Sequence, residues 1–122
     1  MPYERFHAWH VCDDLAVAVY RRTSTFPRHE LYGLTSQARR AAFSAAANIA
    51  EGSAKRGPRE LRRYLDISIG SLSELSYTLR LAWKLGYLSD GDWKTLDRLR
   101  ATASRLTWKL YASLSGNSPP TA

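Results

Sequence analysis

Apolar residues recur at intervals of three and four in four stretches of the chain, the spacing that puts side chains on one face of a helix. The first stretch runs from about His7 to Arg22, with Trp9, Cys12, Ala16 and Val19 in line and Leu15 and Tyr20 beside them. Thr23-Ser24-Thr25-Phe26-Pro27 ends it, because proline disfavours helix in the residue before it. The second runs from about Thr35 to Glu51, follows Leu34, Ala38, Ala41, Ala45 and Ile49, and stops at Gly52-Ser53. Thr35 or Ser36 is the expected cap at its start. The third begins at Pro58 and reaches Leu85, where Gly86 ends it; its 28 residues span about 42 Å at 1.5 Å each. Leu61, Leu65, Ser68, Leu72, Leu75, Leu79 and Ala82 form its stripe. The fourth covers Gly91 to Leu114, with Ser89 or Asp90 as cap and Leu96, Leu99, Ala103, Leu106 and Leu110 in line. No repeat and no strand-like alternation interrupts this pattern. It predicts an all-α, up-and-down antiparallel four-helix bundle, one domain over residues 1–114, followed by a flexible tail at 115–122.

One bundle interior needs one stripe per helix, and the third helix offers more. At 100° per residue from Leu61, Glu74 falls at roughly 220°, Ile67 and Leu85 at roughly 240°, and Leu81 at roughly 200°. In the second helix Phe43 lies roughly 180° from Leu34, beside Ala47 and Ala50. Trp108 is far from the stripe of the fourth. Scattered surface hydrophobes are one reading. The reading favoured here is a subunit interface, since aligned apolar patches seldom face water in a monomer. Glu74 within that strip needs a cationic partner, and Arg39 or Arg40 of the same or a neighbouring chain is the candidate. Asn48 and Glu51, one turn apart, are expected to fix packing or subunit register rather than to perform acid–base work.

Composition changes the picture mainly through charge. Hydrophobic residues make up 44% of the 122 and charged ones 24%, which fits a globular domain able to build its own core. Eighteen Lys and Arg against eleven Asp and Glu leave +7, a balance suited to a polyanionic partner, RNA or DNA before membrane. The densest cluster is Lys55, Arg56, Arg59, Arg62 and Arg63, which against Glu60 gives +4 over residues 55–63. Two to four phosphates is the order of contact such a patch supports, with salt-sensitive and sequence-tolerant binding. The alternative is a solvated face in which Arg62 pairs with Asp66 at i, i+4. Arg98, Arg100, Arg105 and Lys109 extend the basic surface along the fourth helix, and Tyr77, Tyr87 and Trp108 are aromatics able to stack on unpaired bases.

Other chemistry finds little support. No run approaches the ~18 apolar residues of a membrane span, and the start lacks the apolar core of a secretory signal. The single cysteine, Cys12, excludes an intrachain disulfide and fits a reducing, cytoplasmic setting. His7 and His10 lie one turn apart near Cys12, Asp13 and Asp14, but zinc-like spacing does not recur. No serine sits in a nucleophile elbow, and Gly52-Ser53-Ala54-Lys55-Arg56-Gly57 is not a phosphate-cradling loop of the Walker type. The expectation is a non-enzymatic protein without cofactor or metal.

Leu34-Thr35-Ser36-Gln37-Ala38-Arg39-Arg40-Ala41-Ala42-Phe43-Ser44 and Asn48-Ile49-Ala50-Glu51-Gly52-Ser53 resemble the 23S rRNA intervening-sequence protein family. Tyr64-Leu65, Gly70-Ser71, Glu74-Leu75 and Leu85-Gly86-Tyr87-Leu88 add to the resemblance, as do Trp9, Leu15, Tyr20 and Phe26-Pro27, so that it spans about Phe6 to Leu114. It implies an antiparallel four-helix bundle assembled as a homopentamer, with a role in RNA binding. A more distant similarity of fold links the family to the accessory variability determinant of diversity-generating retroelements, a basic pentamer that binds nucleic acid and a reverse transcriptase. Two positions depart from the family pattern. Ala45-Ala46 stand where Ile-Pro is common, which restores a backbone hydrogen bond and straightens the second helix. Ser68-Ile69 stand where Ala-Arg is common, so a contact made by that arginine is missing. The reading that results is an oligomeric RNA- or DNA-binding scaffold or accessory factor. Its alternative is a protein-interaction adaptor, for instance an accessory subunit of a reverse transcriptase. Five copies at +7 would carry +35 and repeat the basic cluster around a ring, raising avidity for a long polyanion.

Overall fold

The computed structural model describes residues 1–115, and within them four helices pack against one another with no strand. They are α1 (His7–Arg22), α2 (Leu34–Ser53), α3 (Gly57–Lys84) and α4 (Asp90–Ser115). Short 3₁₀ turns precede α1 and fill the connection from α1 to α2. Each helix touches its neighbours in sequence, α1 closes the square against α4, and among the described residues the diagonal pairs keep their Cα atoms more than 8 Å apart. Antiparallel order follows from the partners. Ser68 of α3 meets Ala45 of α2, Ser71 meets Ser44, and Tyr64 meets Gly52, so that one number rises as the other falls. The expected tail, apart from Ser115 itself at the end of α4, lies outside the described residues.

The four sequence stripes become the interior. Leu15 and Val19 of α1, Ile49 of α2, Leu65, Leu72, Leu75 and Leu79 of α3, and Leu96 of α4 are fully buried. Burying each such side chain contributes about 1.5–3 kcal/mol. The inner face of α2 is different: Ala38, Ala41, Ala42, Ala45 and Ala46 are all buried, and none adds much bulk. The backbones of α2 and α3 therefore come close. A Cβ on Gly52 would sit 2.7 Å from the Cβ of Tyr64, closer than carbon atoms tolerate. Buried Ser68 bridges the pair by donating its hydroxyl to the Ala45 carbonyl at 2.8 Å. With alanines at 45 and 46, α2 runs as one helix through the region.

Helix ends follow local chemistry, with one difference from expectation. Ser89 caps α4 by accepting the Asp92 N–H at 3.0 Å. Gly86 ends α3 at φ +82°: its N–H reaches the Trp83 carbonyl, and the Tyr87 N–H reaches that of Ala82. This paired closure needs a left-handed residue, hence glycine. The start of α2 is not capped by Thr35 or Ser36. Leu34 is already helical, and its N–H donates to the carboxylate of Glu30 at 3.0 Å, from the preceding turn. Tyr87, at the far end of α3, donates its hydroxyl to the other oxygen of Glu30 at 3.0 Å. Glu30 thus ties two connections together across the end of the bundle.

The Leu34 N–H, helped by the Tyr87 hydroxyl and the nearby His29, holds the Glu30 carboxyl below the usual carboxylate range. A group with a lowered folded pKa stabilises the fold above its unfolded pKa and loses that contribution as pH falls through the folded value. Thermal melts of the native chain and of Glu30→Gln should therefore differ at neutral pH, with the native chain the more stable. The gap should close as the solution is acidified through the Glu30 pKa. A pH-independent gap would contradict the role given to the carboxylate.

Candidate nucleic-acid interface

The turn from α2 to α3 stands at one end of the bundle, together with the chain start and the last turns of α4. Lys55, Arg56, Arg59 and Arg63 are exposed there, and Arg62 is half-buried. Arg62 lies over the ring of Tyr111, with its guanidinium carbon 5.9 Å from the ring centre. The Arg62–Asp66 pair of the alternative, solvated-face reading does not form; the guanidinium turns to the aromatic of α4 instead, and Arg63 pairs with Glu60 at 3.3 Å. Lys55 and Arg63 both stand over Tyr64, at 5.7 and 5.1 Å. Arg59, Arg62, Arg63, Tyr111, Glu60 and Asp66 line an open cleft of about 240 Å³.

Position on the helix makes this cluster electrostatically costly. Cations in the first turns of a helix oppose its macrodipole, whose N-terminal end is positive. Arg59 sits in the first turn of α3, where the dipole acts, and Arg62 and Arg63 crowd like charge into the next; Glu60 is the one acidic residue in these two turns, and no side chain caps the helix start. An anion bound there would receive the arginines and the N-terminal dipole together.

Three further residues join this end that the sequence pattern did not single out. Arg5 shares a cleft with Lys55, Gly57 and Pro58. Tyr64 and Tyr111 carry the cations just described. The signal lay in topology: antiparallel order brings the start of α1 and the end of α4 beside the α2–α3 turn. On α4, Arg105 and Lys109 are exposed near this end. Arg98 shares their helix face but lies some 20 Å along the axis from Tyr111, so the structure does not bring it to the cluster. Arg100 is engaged with Asp97 at 2.8 Å.

The second face is also in view. Phe43 and Ile67 are 62% and 46% exposed, so both side chains point away from the interior as the helical wheel predicts. Tyr77 joins them, and Leu81 is half-buried rather than fully outward. Arg39 is not the partner of Glu74. It donates to the Thr23 hydroxyl at 2.9 Å and to the Tyr20 carbonyl at 3.3 Å, which ties α2 to the end of α1. Arg40 and Glu74 instead line one polar cleft of about 290 Å³ with Gln37, Ser44 and Ser71, without an ion pair between them. Asn48 turns its amide onto Ser44, whose hydroxyl meets that of Ser71 at 2.8 Å; Glu51 is exposed and takes no part.

The remaining reactive groups have structural surroundings. Cys12 is buried against the Thr107 hydroxyl, and loss of solvent pushes its thiol pKa up to about 11 despite that contact. His10 is turned toward the Glu4 carbonyl at 2.7 Å. Among the described residues no three His, Cys, Asp or Glu side chains gather where they could hold a metal ion. Tyr87 is half-buried, packed against Phe26, with its hydroxyl bound to Glu30. No helix of the described residues is long and apolar enough to cross a membrane.

Comparison with curated proteins gives no match. The family model of the 23S rRNA-intervening sequence protein matches residues 4–109, a span that takes in α1, α2, α3 and most of α4. The chain belongs to the 23S rRNA-intervening sequence protein family.

Proposed function

We propose that the chain is a non-enzymatic scaffold or accessory factor that binds RNA through the α2–α3 end of the bundle and assembles as a homopentamer. The observation that carries the binding half is the cluster Lys55, Arg56, Arg59, Arg62 and Arg63. These cations are concentrated where the helix dipole works against them, and only one is ion-paired. A polyanion relieves that repulsion by occupying it. Recognition of this kind goes to the phosphate backbone, so it tolerates sequence and depends on salt. The family name points the same way, toward RNA.

The assembly half is supported by the outer face of α2 and α3. Phe43, Ile67 and Tyr77 expose large apolar surface beside the uncompensated charges of Arg40 and Glu74. A neighbouring copy covering this face would remove apolar area from water and supply partners for both charges. A closed ring would then repeat the basic end once per subunit and bind a long RNA at several points.

Two measurements test these halves separately. With about three phosphates engaged per chain, affinity should fall about 20-fold for a single strand and about 40-fold for a duplex between 50 and 200 mM salt. Arg59→Glu combined with Arg63→Glu should abolish binding without unfolding the bundle, since both side chains are exposed. Salt-insensitive retention, or a double variant that binds as well as the native chain, contradicts the RNA reading.

Light scattering should give five times the 13.8 kDa of one chain. Phe43→Glu with Ile67→Glu should return it to one chain with helix content unchanged. A native protein that is monomeric at micromolar concentration, or a double variant that keeps the assembled mass, contradicts the interface.

A further inference from the structure

The outer surface where α4 meets α3 carries an aromatic arrangement that phosphate binding does not use. Trp108 is 56% exposed and stacks on Tyr111, with ring centres 5.4 Å apart and planes 15° from parallel. The guanidinium of Arg62 lies over the Tyr111 ring. Arginine, tyrosine and tryptophan therefore form a ladder that starts in the basic cleft and ends in solvent at the indole. At 100° per residue, Tyr111, Trp108, Arg105 and Lys109 follow one another around the outside of α4 at roughly 0°, 60°, 120° and 160°. The indole thus stands between two basic groups, Arg59, Arg62 and Arg63 of α3 on one side and Arg105 and Lys109 on the other.

We infer that Trp108 is a stacking platform for an unpaired base, and that the basic end prefers single-stranded to duplex nucleic acid. This rests on the nucleic-acid reading of the cluster and names the form of the ligand. In a duplex, bases are already stacked and their faces are covered, so an exposed indole gains nothing from them. An unpaired base offers a free π face, and any base does so, which keeps the contact tolerant of sequence. The Tyr111 ring behind the indole and the guanidinium behind the tyrosine hold the platform in place. Phosphates on either side of the stacked base then reach the two flanking basic groups. The acidic members of the cleft are Glu60, engaged by Arg63, and Asp66, one turn along α3 from Arg62.

The test compares a uridine oligomer with an RNA duplex carrying the same number of phosphates, titrated against the native assembly, Trp108→Ala and Trp108→Phe. Expected is tighter binding of the single strand, a roughly tenfold to hundredfold loss for Trp108→Ala on that strand alone, and recovery of most of it by Trp108→Phe. Duplex affinity, salt slope and mass by light scattering should stay as in the native protein. Equal losses on both ligands, or none on either while the Arg59→Glu, Arg63→Glu variant fails to bind, would overturn the platform and leave phosphate binding standing. A change of mass in Trp108→Ala would overturn it by making the indole a packing residue between copies. Failure of the native protein to bind either ligand would overturn both readings.

Discussion

Two helices approach closely only where at least one of them presents small side chains, and the contact of α2 with α3 depends on this condition. Buried alanines line the inner face of α2, Gly52 meets Tyr64 near its end, and Ser68 donates to the Ala45 carbonyl where the helices are close. Alanine burial alone contributes little, so the stabilisation comes from the leucines of α3 and α4 that fill the space behind α2. The seam also fixes rotation. With Ser68 turned inward to Ala45, Ile67 must face outward, and with Ser44 on Ser71, Phe43 and Arg40 stand on the outer side of α2. The same register brings the turn at residues 54–56 to the end of the bundle, with its cations exposed.

One packing decision therefore produces both surfaces on which the functional reading depends. The outer face of the α2–α3 pair is apolar with unmatched charges, as suits contact with a copy of itself. The end of the pair is basic and lies at an uncapped helix start, as suits an anion. The surfaces are adjacent but distinct, so each can be removed by substitution without loss of the other. The aromatic ladder from Arg62 through Tyr111 to Trp108 belongs to the junction of α3 with α4 and adds a third element, the one proposed to take bases rather than phosphates.

Much of this was legible in the sequence because helical periodicity is a local property. The helix limits from Leu34 to Ser53 and from Gly57 to Lys84 lie within two residues of those the spacing and glycines indicate. The outward direction of Phe43 and Ile67 follows from counting 100° steps. Contacts that join distant segments were not legible. Arg39 looked available to Glu74 on the wheel, yet the α1–α2 connection folds back and offers it the Thr23 hydroxyl and the Tyr20 carbonyl. Glu30 gave no sign of capping α2, since a cap from a preceding 3₁₀ turn has no fixed spacing. Arg62 has Asp66 one turn away, but the ring of Tyr111 on another helix takes its guanidinium.

Close contact along the α2–α3 seam sets the position of everything else, and the urea stability of Gly52→Ala reads out whether that contact holds. Alanine is favoured over glycine in a helix by up to about 1 kcal/mol, so without a neighbour the change would stabilise the protein. With Tyr64 in the way, overpacking of about 1–3 kcal/mol should outweigh that gain and lower the unfolding midpoint. A midpoint equal to or above that of the native chain would mean that the two helices are not held in this contact, and the account of both surfaces would fail with it.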